Sequence, residues 1–156
     1  MLMNVVPGSA FLDLYAGSGA VGLEALSRGA GRVAWVEKEP RHVAVLKENL
    51  SVLAPGAPYA VFCAEALRWV KGLGRGGGFD VAFADPPYEV TREQGFGGLM
   101  AALAENGVVV ERGFFVAEMA DRCGAAEVPG WELLRDRVYG HTRVALYRRA
   151  GAVVTE

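Results

Sequence analysis

The sequence has few of the side chains from which metal sites and disulfide frameworks are built. It contains only two cysteines and two histidines, and no spacing among them matches a metal-ligand pattern: Cys63, Cys123, His42 and His141. We therefore expect free thiols, as in a reducing cytoplasm, and no bound metal ion.

Long apolar runs and an excess of positive charge are also missing. Residues 1–12 include no basic segment and their apolar run stops at Asp13, so we expect neither a signal peptide nor a membrane span. The 16 basic and 18 acidic residues give a net charge of −2. This balance excludes a strongly basic chain, and any nucleic-acid surface must come from basic side chains grouped locally.

The pattern that is present is that of one α/β domain. With 156 residues, 52% of them hydrophobic, we predict a single domain over 1–156 with a glycine-rich surface loop at 72–78. Short apolar runs alternate with helical periodicity, which is typical of a mostly parallel sheet. The predicted strands are Ala10–Tyr15, Arg32–Glu37, Tyr59–Cys63, Phe79–Ala84 and Val108–Glu111, then two within Trp131–Arg149 around a turn at Tyr139-Gly140. The predicted helices are Gly19–Arg28, Pro40–Leu53, Ala66–Gly72 and Arg92–Glu105.

A glycine-rich turn separates the first predicted strand from the first predicted helix. Within Asp13-Leu-Tyr-Ala-Gly-Ser-Gly-Ala-Val-Gly22, the glycines at 17, 19 and 22 allow a ligand to approach the backbone at a helix amino terminus. The spacing alone also fits a tight turn without a ligand. Glu37 ends the second strand, where a carboxylate can accept hydrogen bonds from both hydroxyls of a ribose.

Asp13 distinguishes between two cofactors. A carboxylate four residues before the first glycine would repel the pyrophosphate of NAD, but it suits S-adenosylmethionine, which carries a sulfonium and an ammonium group. The alternative is a buried carboxylate that caps the glycine turn. Glu65, just after the third strand, is either an acceptor for the adenine amino group or a residue on a helix surface. The candidate cofactor-binding residues are Asp13, Tyr15, Ala16, Gly17, Gly19, Glu37, Lys38, Glu65, Ala66 and Asp85.

The quartet Asp85-Pro86-Pro87-Tyr88 is the candidate catalytic motif, at the carboxyl edge of the sheet. An exocyclic base amine is a poor nucleophile because its lone pair is delocalised into the ring. The Asp85 carboxylate and the Pro86 carbonyl can accept its two N–H bonds and direct the lone pair at a methyl group. The prolines preset the backbone, and Tyr88 offers a ring for stacking a flipped-out base. The alternative is a Pro-Pro turn whose aromatic ring simply packs.

Four segments between Phe11 and Tyr147 together resemble a known family. FLDLYAGSGAVGLEALSRGA, VEKEP, FADPPY and YGHTRVALY are similar to the bacterial 16S rRNA guanine-N2 methyltransferases of the RsmD type. The resemblance implies a single-domain, class I Rossmann-like α/β fold. Its mostly parallel seven-stranded sheet would have helices on both faces and an antiparallel C-terminal strand. It also implies S-adenosylmethionine as donor and the N2 of a guanine in 16S rRNA as acceptor.

The resemblance also assigns roles to individual residues. Those implied to contact the cofactor are Asp13, Gly17, Gly19, Glu37 and Glu65, and those implied to contact the base are Asp85, Pro86 and Tyr88. Glu65 departs from the pattern, which usually has Asp there. The second departure concerns the basic segment that usually precedes the first motif in this family. Here only ten residues precede Phe11, and none of them is basic.

The tail 131–149 carries five arginines and two acids, a modest basic patch. We therefore expect weak, salt-dependent binding to naked RNA, and 16S rRNA within an assembled or partly assembled small subunit as the better acceptor. Three other functions stay open on the sequence. They are a DNA or other RNA amino-methyltransferase, an NAD-dependent oxidoreductase, and a non-catalytic nucleotide-binding or scaffold module.

Overall fold

The computed structural model describes residue 2, residues 4–74 and residues 76–152. The predicted domain 1–156 also includes positions outside these ranges, and Arg75 of the predicted loop is one of them. The strands are β1 (Ala10–Leu14), β2 (Arg32–Glu37), β3 (Tyr59–Cys63), β4 (Phe79–Ala84), β5 (Val109–Ala120), β6 (Trp131–Tyr139) and β7 (Thr142–Arg149). The helices are α1 (Ala20–Ser27), α2 (Pro40–Leu53), α3 (Ala66–Gly72), α4 (Tyr88–Gln94) and α5 (Gly97–Glu105).

All seven strands form one sheet in the order β3-β2-β1-β4-β5-β7-β6. Neighbouring strands from β3 to β5 are parallel, and β7 lies antiparallel between β5 and β6. The strand order reverses between β1 and β4, so their carboxyl ends border the crevice in which α/β folds bind ligands. The predicted fold class is therefore confirmed.

Two apolar layers hold the helices against the sheet. On one face, Ala25 of α1 and Leu46 and Leu50 of α2 pack around the fully buried Trp35 of β2. On the other face, α5 packs against β5 and α3 packs against α5 and β2, with Met100 of α5 fully buried. The buried positions of α2 recur at spacings of three and four, which gives that helix one apolar stripe. No helix among the described residues has the length and apolarity needed to cross a membrane.

The single helix predicted over Arg92–Glu105 is wrong, because the structure has two helices there. The first, α4, already begins at Tyr88 and ends at Gln94. Gly95 then adopts a positive φ of 60°, which glycine reaches without steric cost, and α5 starts afresh at Gly97. Gly95 therefore lies between two helices, and Gly97 and Gly98 belong to the first turn of the second.

The prediction that the fifth strand covers Val108–Glu111 is also wrong, since β5 runs from Val109 to Ala120. Its register with β4 shifts early in the pairing, and Arg112 in that region has a φ of 63°. Such an irregularity is a β-bulge, after which pairing resumes in a new register. The Glu-Arg-Gly sequence of the bulge breaks the apolar run, which is why the sequence pattern ended the strand too early.

Smaller differences occur at the first turn of the chain. The first strand ends at Leu14 and not at the predicted Tyr15, because Tyr15 has a φ of 55°. The first helix begins at Ala20 with Gly19 as its N-cap, and it ends at Ser27 instead of Arg28. The remaining predicted bounds of β2, β3, β4, α2 and α3 are confirmed.

Candidate active site

A cavity of about 370 Å³ opens at the carboxyl ends of β1, β2 and β4. Its volume lies in the range of small-ligand sites. We call it the cofactor cavity, because half of the residues that line it were predicted to bind the cofactor. Eight predicted site residues line it: Tyr15, Gly17, Glu37, Lys38, Ala66, Asp85, Pro86 and Pro87. The sequence analysis missed Val36, Glu39, His42 and Ala64, which also line it. Val36, Glu39 and Ala64 are adjacent in sequence to predicted residues at strand ends, which was the available signal, whereas His42 lies in the first turn of α2.

The three glycines of the turn have different roles. Gly17 has a φ of 56°, lines the cofactor cavity, and leaves open space where a side chain would lie. At Gly22, an added Cβ would overlap the indole of Trp35, and at Gly19 it would overlap the Leu46 side chain. Gly17 is therefore the glycine that a ligand can approach, whereas Gly19 and Gly22 allow close packing of helix and strand.

Glu37 is held rigidly by backbone groups around it. Its Oε1 accepts a hydrogen bond from the amide of Gly17 at 3.0 Å, and its Oε2 accepts one from the amide of Glu39 at 2.7 Å. The imidazole Nδ1 of His42 lies 3.8 Å from the same Oε2. A carboxylate offers about four lone-pair positions, so this one retains capacity to accept from ribose hydroxyls.

Asp13 lies in β1 and is 2% exposed, and it does not line the cofactor cavity. Its Oδ2 accepts a hydrogen bond from the amide of Gly22 at 3.0 Å, so the carboxylate does cap the glycine turn. The pKa of Asp13 is raised to about 7, chiefly by burial and to a lesser extent by the carboxylates of Asp85 and Glu37, while the hydrogen bond from the Gly22 amide lowers it. Capping and interaction with a cationic ligand are therefore compatible roles.

The negative charge at this end of the sheet is not neutralised by neighbouring cations. Among the described residues, no Lys or Arg forms an ion pair with Asp13, Glu37 or Asp85. A positively charged ligand in the cofactor cavity would relieve the mutual repulsion of these carboxylates. The carboxylate acceptors and the negative charge around the cavity therefore fit S-adenosylmethionine, which carries hydroxyl and ammonium donors and a positive charge.

Glu65 serves as the N-cap of α3. Its two carboxylate oxygens accept hydrogen bonds from the amides of Leu67 at 3.0 Å and Arg68 at 2.8 Å. Such a cap stabilises the first turn of a helix. The adjacent residues Ala64 and Ala66 line the cofactor cavity, but Glu65 does not. Its predicted contact with adenine stays a prediction.

The quartet Asp85-Pro86-Pro87-Tyr88 connects β4 to α4. Pro86 is buried, and partial burial raises the pKa of Asp85. The carbonyl of Pro87 accepts a hydrogen bond at 3.0 Å from the amide of Val90 in the first turn of α4. The guanidinium carbon of Arg122 lies 4.6 Å from the centroid of the Tyr88 ring. One face of Tyr88 therefore carries a cation–π contact.

A second cavity of about 190 Å³ lies on the other side of this quartet. We call it the acceptor cavity. Residues that line it include Asp85, Pro86, Tyr88, Glu118, His141 and Thr142. Asp85 and Pro86 therefore border both cavities. Sequence reasoning missed Glu118, because the predicted fifth strand stopped before it. It also assigned no site role to His141 and Thr142, which lie at the turn between the last two strands.

This arrangement is that of a Rossmann-like methyltransferase, and solved structures agree. The yhhF protein of Escherichia coli, titled a candidate methyltransferase, superimposes with a TM-score of 0.86 at 31% identity, over 96% of this chain and 80% of that one. TrmN of Thermus thermophilus shares the fold at 19% identity with a TM-score of 0.72, over 95% of this chain and 46% of that one.

The sequence comparisons identify the family. Residues 1–148 match the family model described as Conserved hypothetical protein 95. YlbH of Bacillus subtilis, named a candidate rRNA methyltransferase, is 35% identical over 92% of this chain and 78% of its own length. Ribosomal RNA small subunit methyltransferase D of Escherichia coli is 31% identical over 95% of this chain and 72% of its own length.

The chain belongs to the Conserved hypothetical protein 95 family, that of the RsmD-type methyltransferases. The predicted resemblance is therefore confirmed. So are the predictions of a methyltransferase and of S-adenosylmethionine as its methyl donor.

Proposed function

We propose that this protein methylates the N2 amine of a guanine in the 16S rRNA of the small ribosomal subunit. The observation that carries the proposal is the meeting of the cofactor and acceptor cavities at Asp85 and Pro86. Its relatives in Haemophilus influenzae and Escherichia coli are named ribosomal RNA small subunit methyltransferases. An rRNA substrate would also place the protein in the cytoplasm.

The cofactor cavity has groups suited to each part of S-adenosylmethionine. Glu37 would hold the ribose hydroxyls, and Gly17 would let the amino-acid portion approach the backbone. The apolar walls formed by Val36, Ala64 and Ala66 would enclose the adenine. When bound, S-adenosylmethionine supplies an electrophilic methyl group on a sulfonium and becomes S-adenosylhomocysteine.

The residues of the quartet act mainly by alignment. The Asp85 carboxylate and the Pro86 carbonyl accept the two N–H bonds of the acceptor amine, which makes its lone pair available for attack. The amine gains the methyl carbon and gives up one proton. Asp85 can accept that proton and release it to solvent, and its raised pKa favours this role.

The acceptor is more accessible in an assembled or partly assembled subunit than in free RNA, because folded RNA and bound proteins present the base in a fixed shape. DNA is the competing substrate for the same chemistry.

Labelled methyl transfer tests the proposal. Small subunits from cells lacking this protein, naked 16S rRNA and DNA would each be incubated with the enzyme and methyl-labelled S-adenosylmethionine. We expect N2-methylguanosine in 16S rRNA, with subunits methylated fastest. Label on another base or only in DNA would contradict the proposed function.

A further inference from the structure

The acceptor cavity contains a second carboxylate that the quartet does not include. In the parallel pairing of β4 and β5, Ala84 is level with Ala117. The next residue along each strand is an acid, Asp85 on one side and Glu118 on the other. Both line the acceptor cavity. The register thus brings a second acidic group to the edge at which the acceptor amine would lie.

Neither carboxylate is occupied by the protein itself. Among the hydrogen bonds and ion pairs of the described residues, none involves the side chain of Asp85 or Glu118. Glu118 is partly buried, and burial and the carboxylate of Asp85 both raise its pKa. Hydrogen-bond donors placed between the two acids would stabilise their ionised forms and so offset the burial and the mutual repulsion that raise the pKa.

The amino bases differ at the ring nitrogen beside the exocyclic amine. In guanine, N1 carries a hydrogen, so the edge presents N1–H and N2–H donors side by side. In adenine and cytosine, the ring nitrogen beside the amine has a lone pair instead. An ionised carboxylate only accepts hydrogen bonds, so it attracts the first edge and repels the second.

We infer that Glu118 selects guanine by accepting a hydrogen bond from its N1–H while Asp85 and Pro86 hold the N2 amine. Glu118 is thus a specificity-determining residue for the base. Enzymes that act on flipped-out bases commonly read them through this edge. The inference rests on the proposed function and explains why the acceptor would be guanine rather than another amino base.

The test changes the hydrogen-bonding groups of the base in the substrate and of residue 118 in the protein. 2-Aminopurine keeps the amine at C2 but has no hydrogen on N1. Small subunits would be assembled around ligated 16S rRNA that carries guanine or 2-aminopurine at the position that the wild-type enzyme methylates. The ratio of kcat/KM for the two substrates would be measured for the wild type, for Glu118→Gln and for a control, Glu111→Gln, an exposed acid at the other end of β5.

We expect the wild type and Glu111→Gln to prefer guanine by on the order of 100-fold, the cost of leaving a charged acceptor unpaired. In Glu118→Gln, the amide can accept from N1–H or donate to an N1 lone pair, so the preference should fall to within about tenfold. Unchanged affinity for S-adenosylmethionine in calorimetry would show that the variant remains folded.

Two results would overturn the role of Glu118. One is a wild type that methylates both bases equally, and the other is a Glu118→Gln enzyme that keeps the full preference for guanine. A wild type that methylates no guanine in these subunits would instead contradict the proposed function.

Discussion

At the scale of single residues, the charge of the cofactor cavity is set by three carboxylates in or directly after neighbouring strands: Asp13, Glu37 and Asp85. Glu37 and Asp85 line the cavity and raise the pKa of the buried Asp13. Because no Lys or Arg among the described residues pairs with them, a bound cation is the natural counter-charge. The negative charge is thus a property of the binding site, and without a ligand it lowers the stability of the folded protein.

Asp85→Ala should separate cofactor binding from chemistry. Removing the carboxylate takes away one acceptor for the amine, so we expect the rate of methyl transfer to fall by on the order of 100-fold or more. Affinity for S-adenosylmethionine should fall far less than the rate, because Asp13, Glu37 and Gly17 remain. Single-turnover kinetics and calorimetry measure the two effects. A variant that turns over at nearly the wild-type rate would show that another group holds the amine.

Asp13 predicts an unusual pH dependence of stability. Its pKa is about 7 in the folded protein and near its ordinary value of 3.8 in the unfolded chain. The folded state therefore binds more protons between these values, and its free energy of unfolding should fall as pH rises from about 4 to about 7. The slope for one such group is about 1.4 kcal/mol per pH unit. Asp13→Asn keeps an acceptor for the Gly22 amide but should lose this slope in urea titrations.

The same group predicts how the cofactor binds. A positively charged ligand nearby favours ionised Asp13, so wild-type affinity for S-adenosylmethionine should rise as pH passes through about 7. This component should be missing in Asp13→Asn. If calorimetry gives the two proteins the same pH profile, Asp13 only caps the turn.

At the scale of elements, the sequence predicts best the strands and helices whose pattern is complete in one short window. The helix Pro40–Leu53 has an apolar stripe and a proline at its start, and both of its ends are confirmed. The strand β5 was cut short because Arg112 and Gly113 form a bulge that no periodicity reveals. Glu118 lies in the part of β5 that the prediction omitted. The sequence therefore predicted Asp85 as a site residue but not Glu118, although both line the acceptor cavity.

Gly22→Ala tests the contact between α1 and β2. Its new Cβ would meet the indole of Trp35, whose Nε1 donates to the carbonyl of Gly19 at 3.1 Å. Overpacking of this kind costs about 1–3 kcal/mol, so we expect a lower midpoint of thermal unfolding. Gly98→Ala is the control, because it lies exposed in α5 with open space around it and should be neutral or slightly stabilising. Equal stability of wild type and Gly22→Ala would mean that α1 can move away from the sheet freely.

For the whole molecule, the sheet itself links the acceptor cavity to a candidate RNA surface. Cross-strand partners share a face of the sheet, and the row Glu118, Val144, Arg137 crosses β5, β7 and β6 in register. Arg135 and Tyr139 lie two residues on either side of Arg137 and therefore on the same face, and all three are exposed. On this face α1 and α2 pack on β1 to β3, away from the row. We call Arg135, Arg137 and Tyr139 the edge patch.

The other arginines of the tail are engaged within the protein. Arg143 pairs with Asp136 at 2.8 Å, Arg148 pairs with Glu132 at 2.7 Å, and Arg149 donates to the carbonyl of Val109. Arg135 and Arg137 form no ion pair among the described residues. The modest basic patch expected from composition is therefore reduced to two available arginines beside an exposed tyrosine, an arrangement suited to phosphate contact and base stacking.

The double variant Arg135→Ala/Arg137→Ala should therefore weaken RNA binding without affecting the cofactor cavity. Removing one arginine that binds a phosphate should lower the slope of log affinity against log salt by about one, so we expect the slope to fall by about two and the difference from wild type to shrink at high salt. Arg148→Ala is the matched control, because Arg148 lies on the same face of the sheet but is paired with Glu132. Filter binding of 16S rRNA fragments at several salt concentrations measures the slopes, and methylation of assembled subunits shows whether the weakening extends to activity. A double variant with the wild-type slope would place the RNA on a different surface, whereas an equal weakening in Arg148→Ala would mean that net charge matters more than the edge patch.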